Sequence, residues 1–338
     1  MNTPRDIIFF HSGSVGDFLM YLFLAELFYR ANPVVRISIV MPRNTSFLRG
    51  FLGSYPYVSI LEISKWKPWR LLPLFFRSKS ITVIINPTVG RIPLRAKLLG
   101  WFLSRRGGTL VGFKDKGPLC GLYSKLLFYD IHKPYHETLI DIVRAFGIEP
   151  PLFTPRLAIQ SDSDELAERG LKPHRYVVIH PGALAPERSF SPDAVLAMAE
   201  AIRVKKPDMD IVVSGGPGDK KLLEEIKTRD PRVILAMALP ALQISAIIKE
   251  ARLYIGVDTG ISHLACFLGT KSIVVAHSGT AVNWLPWYAT QTTVLYRLRE
   301  EKTVRQDLSY LLECRMGGKP FGPVPADAMV GALLAALT

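Results

Sequence analysis

Asp258, Thr259 and Gly260 break an apolar run, Leu253 to Val257, that resumes at helical spacing in Ile261, Leu264, Ala265 and Leu268. The first run is short, β-branched and bounded by polar residues, as a buried strand is, and the second has the period of a helix ending at Gly269. The first amides of a helix lack internal partners and carry partial positive charge. A turn at Thr259 and Gly260 therefore suits a phosphate or diphosphate, and glycine lets the anion approach the backbone. Two plainer readings compete. Asp258 or Thr259 can simply cap the helix. Asp-Thr-Gly is also the tripeptide of the aspartic proteases, but that chemistry needs two facing carboxylates on an all-β fold, and this sequence holds the tripeptide once, before a helix.

Other residue types suited to a nucleotide stand at comparable breaks. Gly182 and Ala183, in HPGALAPERSF, offer amides without bulky side chains, Arg188 offers a bidentate phosphate donor, and Asp219 closes a glycine turn with an acceptor for ribose hydroxyls. His263, one turn into the helix, either meets the same ligand or is a structural histidine. In the amino-terminal half, Asp17 follows Gly13-Ser14-Val15-Gly16. It presents a carboxylate at a strand-to-helix junction, or serves as an ordinary first-turn acid. As a dinucleotide fingerprint the turn is incomplete, since the third glycine and the acidic residue after the second strand are missing.

These breaks need strands to place them. Ile7 to Phe10, Ile37 to Pro42, Ser59 to Ile63 and Ile81 to Asn86 read as strands separated by helix-length segments, the first of which, Phe18 to Tyr29, is apolar on nearly every side. After a proline-stiffened stretch (Pro150, Pro151, Pro155) the alternation restarts with Tyr176 to Ile179, Asp210 to Val213, Val233 to Leu235, Leu253 to Val257 and Ser272 to Ala276. Alternating strands and helices make parallel, wound sheets. At 338 residues, two such domains are expected, 1–155 and 156–338, with the last helix packing back on the first.

Forty-two Lys and Arg against 29 Asp and Glu direct the chain toward anionic partners. Most of the excess lies between residues 64 and 116, where twelve basic residues accompany one acid, Asp115, with Trp66, Trp69, Phe75, Phe76, Trp101 and Phe102 interleaved. That segment is either a solvated basic face over core aromatics or a surface for anionic lipid or a phosphorylated glycan; no nucleic-acid module is present, so nucleic acid is not expected. Three dispersed cysteines suggest neither a disulfide framework nor a zinc site. The start carries no leader and no uncharged apolar run is long enough to span a bilayer, so a cytoplasmic protein with at most peripheral membrane contact is expected.

In order and spacing, Gly16-Asp17 after the first strand, His180-Pro181-Gly182-Ala183 with a downstream cation, the turn ending in Asp219, and DTGISHLACFLGTKSIVVAHSGT followed by Trp284 and Pro286 resemble glycosyltransferase family 9, the heptosyltransferases of the lipopolysaccharide inner core. The resemblance implies the GT-B architecture, two wound Rossmann-like domains facing across a cleft. It also implies inverting, metal-independent transfer of heptose from ADP-heptose to a phosphorylated, lipid-linked core acceptor, with no cofactor. By the same resemblance Asp17 is the general base. Gly182, Ala183, Arg188, Thr259 and Gly260 hold the diphosphate, Asp258 orients the donor sugar, Arg188 and Asp219 meet the ribose, His263 completes the pocket and Leu239 lies against the base. Lys65, Lys67, Arg91 and Arg95 are the acceptor-side candidates, at the cytoplasmic face of the inner membrane. The sequence departs from the family at His11, where Arg is frequent, at Arg188 (Lys), at Phe190 (Trp), and at Phe23 and Leu24, where a proline is expected. A sugar-nucleotide epimerase and a non-catalytic nucleotide or glycan binder remain the alternatives.

Overall fold

A computed structural model of the chain describes residues 4–10, 14–42, 46–63, 68–77, 80–85, 92–151, 153–159 and 163–338. The chain divides into two compact units, Met1–Phe153 and Thr154–Thr338.

The first unit is built on six strands, β1 (Asp6–Phe10), β2 (Arg36–Pro42), β3 (Val58–Ile63), β4 (Ile81–Ile85), β5 (Thr109–Phe113) and β6 (Lys125–Leu127), in the order β3-β2-β1-β4-β5-β6. All five pairings are parallel, so every carboxyl end lies on one edge. The chain winds outward from β1 to β3, returns beside β1 and winds the other way. That reversal puts a crevice between the ends of β1 and β4. Alternate residues of a strand face opposite sides: Ile8 joins Ile81, Val83, Ile85 and Leu110 under one layer, whereas the Phe9 ring stacks at 5.2 Å on Tyr21 of the helix Val15–Ala31 in the other. This helix is buried on nearly all sides, as its composition requires.

The second unit repeats the plan with β7 (Tyr176–His180), β8 (Asp210–Gly215), β9 (Ile234–Met237), β10 (Leu253–Val257), β11 (Ser272–Ala276) and β12 (Thr292–Arg297), plus β13 (Val304–Arg305) antiparallel on β12. The order is β13-β12-β11-β10-β7-β8-β9, and the winding reverses between β7 and β10. One face is covered by the helices Pro192–Lys205 and Ala326–Leu337, whose Val195, Met198, Met329 and Leu333 pack on Val177, Ile179 and Ile255. The last helix thus contributes Met329, Leu333 and Leu337 to the core of the second unit. Among the described residues, no helix is long and apolar enough to cross a membrane.

Within the basic segment, Lys97 and Asp115 do not face solvent. Both side chains are fully buried, the Lys97 ammonium lies 2.7 Å from the Asp115 carboxylate, and it also donates to the Pro118 carbonyl at 2.8 Å. Burial alone would raise the Asp115 carboxyl, but hydrogen bonds from Lys97, the Ile92 amide and Cys120 hold it down at about 2. Trp69, Phe76, Trp101 and Phe102 are exposed instead of lying in a core beneath the charges. The reading of this segment as a solvated basic face over core aromatics is corrected accordingly. Arg95 is exposed; Lys65, Lys67 and Arg91 lie outside the described residues.

Removing one partner of a buried ion pair strands the other charge. Lys97→Met should cost about 3 to 5 kcal/mol in urea unfolding, and Lys97→Met combined with Asp115→Asn should recover at least half of it. A loss for Lys97→Met below about 1 kcal/mol, the range of an exposed pair, would show the pair to be solvated.

Candidate functional site

The carboxyl ends of β7, β8, β10 and β11 carry the polar residues singled out by the sequence. After β10, Thr259 is the cap of the helix Gly260–Leu268 with extended backbone (φ −144°, ψ 174°), yet neither its side chain nor that of Asp258 caps an amide. The simple capping reading therefore does not describe this turn, and Thr259 Oγ1 is left without a partner. Farther back, Ser262 donates to the Val257 carbonyl at 2.5 Å and pairs with Tyr254 at 2.9 Å, which locks the strand-to-helix turn. Gly256 must be glycine for this arrangement, because a Cβ there would stand 2.4 Å from the Tyr254 hydroxyl oxygen.

The loop after β7 brings Arg188 across to this turn. Its Nη2 donates to the Asp258 carbonyl and lies 3.3 Å from Asp258 Oδ2, with the Asp258 side chain 7% exposed. Burial pushes the Asp258 carboxyl up to about 6 against the opposing pull of Arg188. His263 is buried one turn into the helix, with Nδ1 2.8 Å from the Tyr288 hydroxyl and Nε2 3.7 Å from Asp258 Oδ1. Burial lowers this imidazole to about 4, so at neutral pH the approach to Asp258 is not an ion pair.

Asp219 sits at the end of β8, where its Oδ2 accepts from the Gly216 amide at 2.7 Å. A Cβ on Gly182 would lie 2.3 Å from the Asp219 carboxyl carbon, so Gly182 is small because Asp219 occupies that space. The Ala183 amide, expected to face the diphosphate, donates instead to Ser189 Oγ at 3.0 Å within its own loop. Leu239 follows the left-handed Ala238 (φ 54°) at the end of β9, two strands from β7 on the same edge and partly buried.

Eight buried side-chain polar atoms among the described residues have no hydrogen-bond partner, and five of them are here: Arg188 Nε, Asp258 Oδ1, Thr259 Oγ1, His277 Nε2 and Thr280 Oγ1. Buried polar atoms are ordinarily satisfied, so a cluster of orphans at a strand-end crevice marks where a polar ligand belongs. His277 and Thr280 follow β11, and Gly279 between them is close enough that a Cβ would lie 3.6 Å from the Arg188 side chain. Neither was assigned a role from the sequence. Their signal was the same strand-to-turn transition, in VVAHSGT, that exposed Asp-Thr-Gly.

In the first unit, Asp17 lies in the first turn of the helix after β1, beside the crevice between β1 and β4. Ser14 caps that helix by accepting from the Asp17 amide at 3.1 Å, and its hydroxyl donates to Asp17 Oδ2 at 2.5 Å. The carboxylate is thus oriented, partly exposed, and in the position of a helix-terminal acid as well as a crevice base. His11 and Gly13 lie outside the described residues.

Two doubly wound parallel sheets of the same strand order, one in each unit, are the architecture of the GT-B fold. Residues 133–311 match the model of glycosyltransferase family 9 (heptosyltransferase), and the chain belongs to that family. It is therefore a glycosyltransferase. Its fold is similar to that of E. coli ADP-heptose lps heptosyltransferase II, at 17% identity and a TM-score of 0.74 over 98% of each chain. A glycosyltransferase family 9 structure from Veillonella parvula gives 16% identity and 0.72 over 87% of each chain. E. coli heptosyltransferase WaaC with ADP gives 15% identity and 0.65, covering 86% of this chain and 92% of that one. No match was found among curated protein sequences.

A raised carboxyl carries a pH consequence. An unfolded aspartate titrates near 4, and folded Asp258 at about 6, so below pH 4 both states hold the proton and above pH 6 the fold bears the full penalty of the buried charge. Stability from this group falls as pH rises through that window. Asp258→Asn should stabilise the unliganded protein by up to about 3 kcal/mol at pH 8 and by almost nothing at pH 4, measured by urea unfolding at both values. Equal effects at the two values would mean that Asp258 titrates normally.

Proposed function

We propose that this chain transfers heptose from ADP-heptose, with inversion, to a phosphorylated, lipid-linked lipopolysaccharide core acceptor at the cytoplasmic face of the inner membrane. The observation that supports it most is the cluster of unpartnered buried polar atoms around Arg188 and Asp258 at the start of the helix Gly260–Leu268. A guanidinium beside free helix amides is suited to the negative charge that grows on a departing nucleoside diphosphate, and supplies that stabilisation without a metal. In this scheme Arg188, Thr259 and Gly260 bind the diphosphate, Gly182 and Ala183 line it, Asp258 and neutral His263 accept from or donate to the donor sugar, Asp219 takes the ribose hydroxyls and Leu239 the base.

Asp17 is assigned as general base. It removes the proton of the attacking acceptor hydroxyl, the hydroxyl oxygen bonds to the anomeric carbon, and the bond from that carbon to the diphosphate oxygen breaks on the opposite face. The hydrogen bond from Ser14 holds the carboxylate in one rotamer for this step. Arg95, with Lys65, Lys67 and Arg91, is assigned to the phosphorylated acceptor.

An epimerase would convert the nucleotide sugar with no acceptor present, and a binding protein would leave it intact. Mixing enzyme and ADP-heptose with and without a heptose-deficient lipopolysaccharide acceptor, and reading both products by mass spectrometry, separates the three; consumption of donor without acceptor, or none with it, overturns the proposal. In the same assay Asp17→Asn should slow single-turnover transfer by about 10² to 10⁴ fold with donor affinity unchanged, whereas a merely helix-capping acid would lower the melting temperature and leave turnover within threefold of about the parent value. Arg188→Ala removes a charge-assisted contact of about 1.5 to 3 kcal/mol, so ADP affinity by titration calorimetry should fall about ten- to a hundredfold.

A further inference from the structure

The exposed large apolar side chains of the first unit are concentrated in one part of it. Of the fifteen large apolar side chains exposed among the described residues, seven fall between Trp69 and Phe102. Four lie on the helix Leu94–Ser104: Leu94 and Leu98 are each 43% exposed, Trp101 38% and Phe102 37%. Positions 94, 98, 101 and 102 recur at intervals of three and four, so they form one outward stripe. The inward stripe is separate and already occupied by Lys97, Gly100, Leu103 and Ser104. Trp69 and Phe76, 56% and 71% exposed, belong to the segment whose Leu71 packs with Leu103 in the same core cluster, so both elements cover the same face of the sheet.

The charges around the stripe are of one sign. Arg95, Arg105 and Arg106 are exposed, and the Arg105 guanidinium lies 4.7 Å from the centre of the Trp101 ring. No acid occurs from residue 92 to 114, and Asp115 is consumed by Lys97 inside the unit. Two such faces brought together would oppose arginine to arginine, which costs binding free energy, whereas anionic headgroups neutralise the row. At 11 residues the helix is too short to span a bilayer. Its exposed tryptophan, phenylalanine and leucines with flanking arginines suit the boundary between acyl chains and headgroups.

We propose that this face of the first unit, the outward stripe of Leu94–Ser104 with Trp69 and Phe76, seats the protein on an anionic lipid bilayer. The proposal deepens the reading of a lipid-linked acceptor by naming the surface that brings the enzyme to it. It stands apart from the chemistry, since vesicle binding needs neither donor nor acceptor sugar.

The full chain would be sedimented with phosphatidylglycerol/phosphatidylethanolamine vesicles and with phosphatidylcholine vesicles, at low and high salt, beside the double variant Trp101→Ser/Phe102→Ser. Binding is expected to the anionic vesicles alone, weaker at high salt, and lowered at least about tenfold in the variant, which loses two inserted aromatic rings. ADP affinity and melting temperature should not change, which shows that the variant is folded. Equal partitioning of variant and parent, equal binding to the neutral vesicles, or no binding to either would overturn the proposal. So would a parent dimer in sedimentation velocity that the variant loses while vesicle binding is absent, since the face would then belong to a second copy. None of these failures touches the transferase assay, and failure of that assay leaves the vesicle result standing.

Discussion

Parallel pairing of strands is the constraint on which the rest of this molecule depends. Because β1 to β6 and β7 to β12 all run the same way within their sheets, every loop that follows a strand emerges at one edge. Because each sheet starts in its middle, the loops diverge at one point and leave a crevice. Arg188 and Asp258 lie 70 positions apart and meet because β7 and β10 are neighbours at that reversal. The same rule brings Ser14 and Asp17 to the end of β1.

The crevice of the second unit is not relaxed. A buried carboxyl with a raised affinity for protons, a guanidinium with one N–H unpaired, and hydroxyl and imidazole groups without partners all cost stability in the unliganded fold. The surrounding architecture tolerates this because the strands beneath are apolar and fully buried, from Tyr176 to Ile179 and from Leu253 to Ile255. A rigid apolar floor keeps polar groups apart from one another and ready for a charged ligand. Catalysis by fixed dipoles needs that preorganisation.

Much of this was legible in the sequence, for reasons that differ between elements. Buried parallel strands are continuous β-branched runs, so IIFF, ISIVMP, YVVI and SIVVA announce themselves, and the alternation with helices implies the winding. Lys125–Leu127, three residues of which none is fully buried, and Thr109–Phe113, with glycine inside it, carry too little periodicity to be seen. Residue type pointed to these strand ends, whereas partners did not follow from type: that the Ala183 amide turns to Ser189, and that Gly182 yields its space to Asp219, depends on loop conformation. The basic segment was legible only in part, because composition does not say which way a helix faces: Lys97 counts among the charges of that segment and is in the core, whereas Trp101 is at the surface.

That inversion gives the buried ion pair a role beyond stability. Helix Leu94–Ser104 is apolar on both sides, so hydrophobic burial alone does not decide which stripe meets the sheet; rolled by half a turn, it would bury Leu98 and Trp101 about as well. Two features break the tie. Gly100 lets the helix lie so close to β4 and β5 that a Cβ would stand 2.8 Å from Leu110, and Lys97 finds its counter-charge only when the helix is turned inward on that side. The pair acts as a rotational key, choosing one of two nearly degenerate packings and leaving the other apolar stripe outside.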